Sequence, residues 1–386
     1  MSNKPSPGDA PLPHLVAQAS RLCLPPLHSS PSPSDLSDAA AIALLHTLVD
    51  TPSPSGQEAP VAEVILEWCL ARNIPCEIDQ VGNAIARFGP PDARPLIILL
   101  GHMDTFPGTP PVRIDNCNLY GRGSVDAKGP LAAFLLAAAR AAPHLTSRVL
   151  VIGAVEEETT TSRGARHIAS AYTPDACIVG EPSGTSGYTI GYKGRLVVDL
   201  RVARSGAHSA GPGGSAADAA FDWWTRVLAD VEHLNTGRTG AFDRLQASIR
   251  STTSTHDGIT DVATLLAGFR LPTWINPGDL VARLPTLPDG ASLSINGAER
   301  AIRVDRSSSV ARALSGAIRA HGLSPTPLVK TGTSDMNVVG ATWTCPIAAY
   351  GPGDSNLDHT PNEHLPIADY LTAINILQHA LTSGTL

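Results

Sequence analysis

The sequence predicts an α/β fold: a mostly parallel sheet covered by helices, interrupted by an inserted α+β domain. Three observations carry this reading. Continuous apolar runs of strand length alternate with helix-length segments, as in "PLIILL", "KGPLAAFLLAAARAA", "RVLVIGAV", "SRGARHIASA" and "DACIVG". Strands that are apolar on both faces belong to a parallel sheet buried under helices. After Gly194 the texture changes to alternating apolar and polar residues, as in "RLVVDLRVARSG", which suits a sheet with one wet face. Near residue 305 the first rhythm resumes. At 386 residues the chain has room for two domains and a sizeable core.

The elements follow in order. Residues 1–34, "MSNKPSPGDAPLPHLVAQASRLCLPPLHSSPSPS", are rich in Pro and Ser and read as a poorly ordered extension or surface strap, with a short helix around Leu15–Leu22. A helical apolar period behind Ser/Asp caps runs through "SDLSDAAAIALLHTLVD", and "TPSPSGQE" ends it. "EAPVAEVILEWCLARN" is a second helix, and the alternating strands and helices follow it. In the insertion, "RLVVDLRVARSG", "ATLLAGFRLP" and "ASLSING" are strands, and "SAADAAFDWWTRVLADVEHL" is an amphipathic helix. Helix "SSSVARALSGAIRAHG", strand "CPIAAYG" and terminal helix "IADYLTAINILQHAL" complete the chain. The expected plan is a main domain built from 35–193 and 305–386, with 194–304 inserted.

Apolar residues make up 42% of the chain and the net charge is −7, which argues against nucleic acid or an anionic membrane as partner. The six cysteines are scattered without a C-x-x-C pair, a pattern that fits reduced thiols better than a disulfide framework. No apolar stretch approaches the roughly 18–20 residues that cross a bilayer. The N-terminus lacks the basic-then-apolar order of a secretory signal. A cytoplasmic location is the expectation.

Ionisable residues cluster where strands should end. "LIILL" runs into His102 and Asp104, and "RVLVIGAV" into Glu156, Glu157 and Glu158. "ACIVG" runs into Glu181, and "PIAAYG" into a loop bearing Asp358 and His359. In "GRGSVDAKGP", Asp126 stands just before a helix whose Pro130 suits a first turn. The carboxyl ends of parallel strands share one edge, where ligands bind, so topology gathers these distant residues. Like charges brought together there repel and are costly to desolvate. A divalent metal pair is the economical counter-charge. Two imidazoles with several carboxylates give mixed N/O ligation, which suits zinc, cobalt or manganese rather than calcium.

The chain resembles the di-zinc amidohydrolase and metallopeptidase family that includes acetylornithine deacetylase, succinyl-diaminopimelate desuccinylase, glutamate carboxypeptidase and aminoacylase. The matching pieces are "GHMDTFP", "GRGSVDAKGPLAAF", "VEEE", "GEPSG", "SGAHSAGP" and "HTPNE", in the family's order, and they cover about Asp35 to Leu386. The resemblance implies a catalytic domain with an inserted lid that dimerises. It makes His102 and Glu181 ligands of one metal, Glu158 and His359 ligands of the other, and Asp126 the bridge. Asp104 would hydrogen-bond the second ring nitrogen of His102. Glu157 would be the general base, taking a proton from a metal-activated water and delivering it to the leaving amine. The glutamate triplet also permits a register in which Glu156 and Glu157 take the roles of base and ligand. His208 resembles the lid histidine that reaches a neighbouring subunit and donates to the oxyanion, and Arg270 the lid arginine that pairs with a substrate carboxylate.

Two features depart from the family pattern. Its lid Asn-x-x-Pro has no clear counterpart, "DGITDVATLL" occupying that region, and Gly268 stands where an acid commonly precedes the lid arginine by two. Within the family, "GRGSVDAKGP", "YKG", "KTGTSDMN" and "YGPGDSNLDHTPNE" look most like the branch that releases lysine or ornithine from the C-terminal glutamate of an amino-group carrier protein in lysine or arginine biosynthesis. Lys330, Thr333 and Ser334 would then contact the amino-acid end. The alternatives are deacetylation of N-acetylornithine or N-acetyl-lysine, a related aminoacyl-amide carboxypeptidase and, in a different class, a non-catalytic metal-binding scaffold. The intact glutamate pair argues against a scaffold, which has no need of a base. No G-x-S-x-G or H-E-x-x-H occurs.

Overall fold

The computed structural model describes residues 35–206 and 214–386. The expected N-terminal extension, 1–34, and His208 lie outside the described residues. The chain forms two compact units. The first runs to Tyr188 and takes up Arg306–Pro327 and Cys345–Leu386, and the second holds Thr189–Asp305 and Leu328–Thr344.

In the first unit α1 (Asp38–Asp50) begins behind Ser37, whose hydroxyl accepts from the Ala40 N–H, and α2 (Ala59–Leu70) carries a proline in its first turn. Strands β1 (Cys76–Ile78), β2 (Ala84–Phe88) and β3 (Leu96–His102) follow, then the short β4 (Arg113–Asp115) and β5 (Asn118–Tyr120). Next come α3 (Lys128–Ala141), β6 (Arg148–Ala154), α4 (Arg163–Ala171) and β7 (Ala176–Val179).

Strand β8 (Gly187–Tyr192) begins at the end of this stretch, and the second unit then contributes β9 (Gly194–Ser205), α5 (Ala216–Leu234), β10 (Gln246–His256), β11 (Thr260–Leu271), α6 (Pro277–Val281), β12 (Ala291–Glu299) and β13 (Ile302–Arg303). Helix α7 (Ser309–Ala320) returns to the first unit. The chain continues through β14 (Thr326–Lys330), α8 (Asp335–Val339), β15 (Ile347–Ala349), β16 (His364–Pro366) and α9 (Ile367–Thr382).

The first unit's sheet has the order β1-β2-β6-β3-β7-β15. The β6–β3, β3–β7 and β7–β15 pairs are parallel, as the apolar runs predict. The β1–β2 and β2–β6 pairs are antiparallel, so the sheet is mixed at one edge. Strand β3 is buried along its whole length, and in α3 every residue except Arg140 is buried. Close approach of this helix depends on small residues beneath it. A Cβ at Gly180 would stand 2.9 Å from Phe134 Cε2.

The second unit is built on the antiparallel sheet β10-β11-β9-β12. Alternate residues of β9 and β11, among them Leu196, Val198, Leu200, Leu265 and Phe269, are buried with Trp223 of α5 in one core. Ser215 and Asp218 form a reciprocal cap at the start of α5. Trp223 satisfies its indole N–H on the Pro285 carbonyl at 3.0 Å.

Among the described residues no helix is long and apolar enough to cross a membrane. Cys69, Cys76, Cys177 and Cys345 are free thiols.

Candidate metal centre

The carboxyl edge of the parallel strands gathers residues separated by up to 257 positions, from His102 to His359. His102 is the last residue of β3, and Asp104 follows two residues later. The glutamate triplet begins two residues after β6, and Glu181 two residues after β7. Asp126 sits two residues before α3. Its two oxygens face different imidazoles: Oδ1 is 3.3 Å from His102 Nε2, and Oδ2 is 3.1 Å from His359 Nε2. The same His359 nitrogen lies 3.0 Å from Glu158 Oε1. Asp126, Glu158 and His359 thus present ligand atoms all within 4.8 Å of one another, a group that can hold a metal ion. Glu181 is buried at the end of β7 and is not part of that group.

Asp104 organises the neighbouring loop. It is fully buried, and its Oδ1 accepts from the Glu157 N–H at 3.0 Å. Its Oδ2 accepts from the Glu158 N–H at 3.0 Å and from the Ser55 hydroxyl at 2.7 Å. His102 Nδ1 lies 3.0 Å from the Asp104 carbonyl oxygen and 3.4 Å from its Oδ1, so the backbone oxygen is the nearer partner.

The geometry divides the triplet. Glu156 has φ +60°, uncommon for a side-chain-bearing residue, and its N–H is held by Glu58 Oε1 at 3.1 Å. Its carboxylate turns to the start of α4, accepting from Arg163 Nε at 2.8 Å and Thr161 Oγ1 at 2.6 Å. Glu158, not Glu156, meets His359 and Asp126.

Three supporting residues were not singled out from the sequence. Glu363, 1% exposed, accepts from the backbone N–H groups of Val125 and Asp126 at 3.0 and 3.1 Å, and from Arg122 Nη1 at 2.7 Å. Arg122 also donates to the Thr360 carbonyl at 3.3 Å, so one guanidinium joins the Asp126 loop to the His359 loop. Phe106 stacks on His359. All three lie inside "GRGSVDAKGP", "HTPNE" and "GHMDTFP", yet hydrogen bonds between loops leave no spacing signal in a sequence.

The electrostatics follow from burial and charge. Burial opposes the charged form of His102, but hydrogen bonds to Asp104 and Asp126 and the charge of Glu157 outweigh it and raise its pKa well above the ordinary value. Hydrogen bonds to Asp126 and Glu158 raise His359 to about 10. Desolvation would raise Asp126, but the two imidazoles hold it below the usual carboxylate range. Burial, with repulsion from Asp126, raises Glu158 despite its bond to His359. These mixed imidazole and carboxylate donors, partly buried and short of positive charge, fit a divalent metal ion.

The other residues expected to contact substrate lie in the second unit. Arg270, on β11, donates from Nη1 to Thr333 Oγ1 at 3.0 Å. Ser334 caps α8 by accepting from the Met336 N–H at 3.2 Å, and Asn337 returns the cap to the Ser334 N–H at 2.9 Å. Lys330 ends β14, where its carbonyl accepts from the Lys193 N–H at 3.1 Å.

Comparison with known proteins agrees with the fold. The chain is 44% identical to a [LysW]-lysine hydrolase of Deinococcus radiodurans, over 89% of this chain and 96% of that protein. It is 36% identical to a putative [LysW]-lysine/[LysW]-ornithine hydrolase of Thermococcus kodakarensis, over 89% and 91% of the two. Its fold matches an M20 family metallo-carboxypeptidase of Sulfolobus solfataricus with a TM-score of 0.72, at 18% identity, over 89% of this chain and 98% of that one. The model of peptidase family M20/M25/M40 matches residues 98–383, and the chain belongs to that family.

Proposed function

We propose that the protein hydrolyses the amide that joins lysine, or ornithine, to the C-terminal glutamate of a LysW-type amino-group carrier protein, in lysine or arginine biosynthesis. The observation that carries this reading is the 44% identity to a [LysW]-lysine hydrolase across nearly the full length of both chains. The site supplies the chemistry. Asp126 offers one oxygen toward His102 and the other toward His359, the disposition expected of a carboxylate shared by two ions. His102, Asp126 and Glu181 would hold one divalent ion, and Asp126, Glu158 and His359 the second. Zinc suits this donor set, with cobalt or manganese as substitutes. When bound, the pair polarises the amide carbonyl and acidifies water.

The protein's own groups do the rest. Glu157, its backbone pinned by Asp104, would accept the proton of the attacking water and return it to the leaving amine nitrogen. Asp104 would hold the glutamates and His102 in register. Arg270, Lys330, Thr333 and Ser334 are the proposed substrate contacts, and His208 the proposed donor to the oxyanion from a homodimer partner. A cytoplasmic location completes the reading. The test is to incubate the zinc-loaded protein with lysine-bearing carrier and follow free lysine and the carrier's intact mass. Release that stops on metal removal is expected, and a carrier that keeps its lysine refutes the proposal.

A further inference from the structure

Phe106 lies four residues beyond His102 on the loop that leaves β3. Its ring is stacked on the His359 imidazole, with centroids 4.3 Å apart and planes inclined by 10°. Both partners sit on anchored loops. Beside Phe106, the Thr105 N–H donates to the Ser53 carbonyl at 2.9 Å, and Pro54 and Thr105 form a parallel bridge. Beside His359, Arg122 donates to the carbonyls of Thr360 and His359 at 3.3 and 3.5 Å. Phe106 is 42% exposed, so burial of its own surface does not explain its placement.

The imidazole needs such a partner. Its contacts with Glu158 and Asp126 both fall on Nε2, and the side chain is 39% exposed. Contacts at a single nitrogen leave the ring able to tilt about that point. A parallel aromatic face removes this freedom and shields one side from water. We propose that Phe106 is a positioning residue for His359, fixing the imidazole plane so that Nε2 stays aimed at Asp126, Glu158 and the metal ion they would share. The proposal rests on the reading of His359 as a ligand, and its test separates the two.

The full-length protein is compared with Phe106→Leu, Phe106→Val, Phe106→Tyr and His359→Ala. Zinc affinity is read by chelator competition, the absorption spectrum with cobalt bound, and thermal unfolding without metal. Phe106→Leu and Phe106→Val should unfold like the parent without metal, bind one metal equivalent about 10- to 100-fold more weakly and shift the cobalt spectrum. Phe106→Tyr, which keeps the flat ring, should restore both. Parental affinity and spectrum in the Leu and Val variants would overturn the proposal, as would a Tyr variant as impaired as they are. His359→Ala binding both equivalents at full affinity would instead overturn the ligand reading.

Discussion

Asp104 Oδ2 accepts a hydrogen bond from the Glu158 N–H at 3.0 Å, tying the end of β3 to the loop that follows β6. The Glu157 N–H makes the matching bond to Oδ1, also at 3.0 Å, so two neighbouring parallel strands are cross-linked just past their last paired residues. Asp104→Asn keeps one acceptor oxygen but turns an amide N–H₂ toward a backbone N–H. Stability should fall by roughly 1–3 kcal/mol and metal affinity by about 10- to 100-fold. Denaturant unfolding and chelator competition measure the two. Full metal affinity in a folded Asp104→Asn protein would show that Glu158 does not depend on this tie.

Glu157→Gln tests the base. The amide is nearly isosteric and Glu157 is not in the group formed by Asp126, Glu158 and His359, so both metal equivalents should be retained. Turnover should drop by about 10²- to 10⁴-fold. Metal analysis beside steady-state rates decides it, and parental turnover would remove Glu157 from the role.

Glu363→Ala should destabilise the protein by roughly 3–5 kcal/mol, because it strips Arg122, 11% exposed, of its carboxylate and leaves the Val125 and Asp126 N–H groups without their acceptor. Glu363→Gln retains an oxygen for those N–H groups and should lose less. Equal losses would assign the whole effect to the Arg122 pairing.

Lys193 gives a pH signature in the second unit. It is fully buried, with Nζ bonded to the Arg244 carbonyl and 3.0 Å from Gln246 Oε1. Burial, reinforced by Arg270 and Arg244, depresses its pKa to about 8. Between about 8 and the ordinary lysine range near 10.5, the unfolded chain binds the proton and the folded one does not. Stability from this group is therefore present above that window and lost as pH falls through about 8. The stability difference between the parent and Lys193→Met should grow in the parent's favour as pH rises across the window. A difference independent of pH there would contradict the shift.

Much of the fold was legible because burial leaves a pattern. Strand β3, buried throughout, and β6, buried beyond Arg148, are continuous apolar runs, and β9 alternates because one face packs on Trp223. Strand β10 went unread since nearly all of "QASIRSTTSTH" is exposed and no apolar period survives. Strands β1, β4, β5 and β16 are three residues each, too short to show a period. Antiparallel β1 and β2, which make the sheet mixed, were missed because β1 is three residues long and β2, buried at four of its five positions, shows no alternation that marks an antiparallel strand.

The site was legible to the extent that chemistry stands at strand ends. His102, Asp126, Glu158 and His359 could be gathered by topology, because a parallel sheet puts those ends on one edge. The triplet kept two registers open in the sequence. In space the Glu156 carboxylate turns to Arg163, while Glu158 lies 3.0 Å from His359. Glu363, Arg122 and Phe106 act through contacts between loops more than 200 residues apart in sequence, and no local pattern encodes such a contact.

The most direct measurement offers the zinc-loaded protein equal concentrations of lysine-bearing LysW carrier and free N-acetylornithine, and follows both released amines with a metal-stripped control. The account predicts faster release from the carrier and none from the stripped protein. Faster release from N-acetylornithine would contradict the carrier assignment and make the protein a deacetylase, and release without metal would contradict the chemistry assigned to the site.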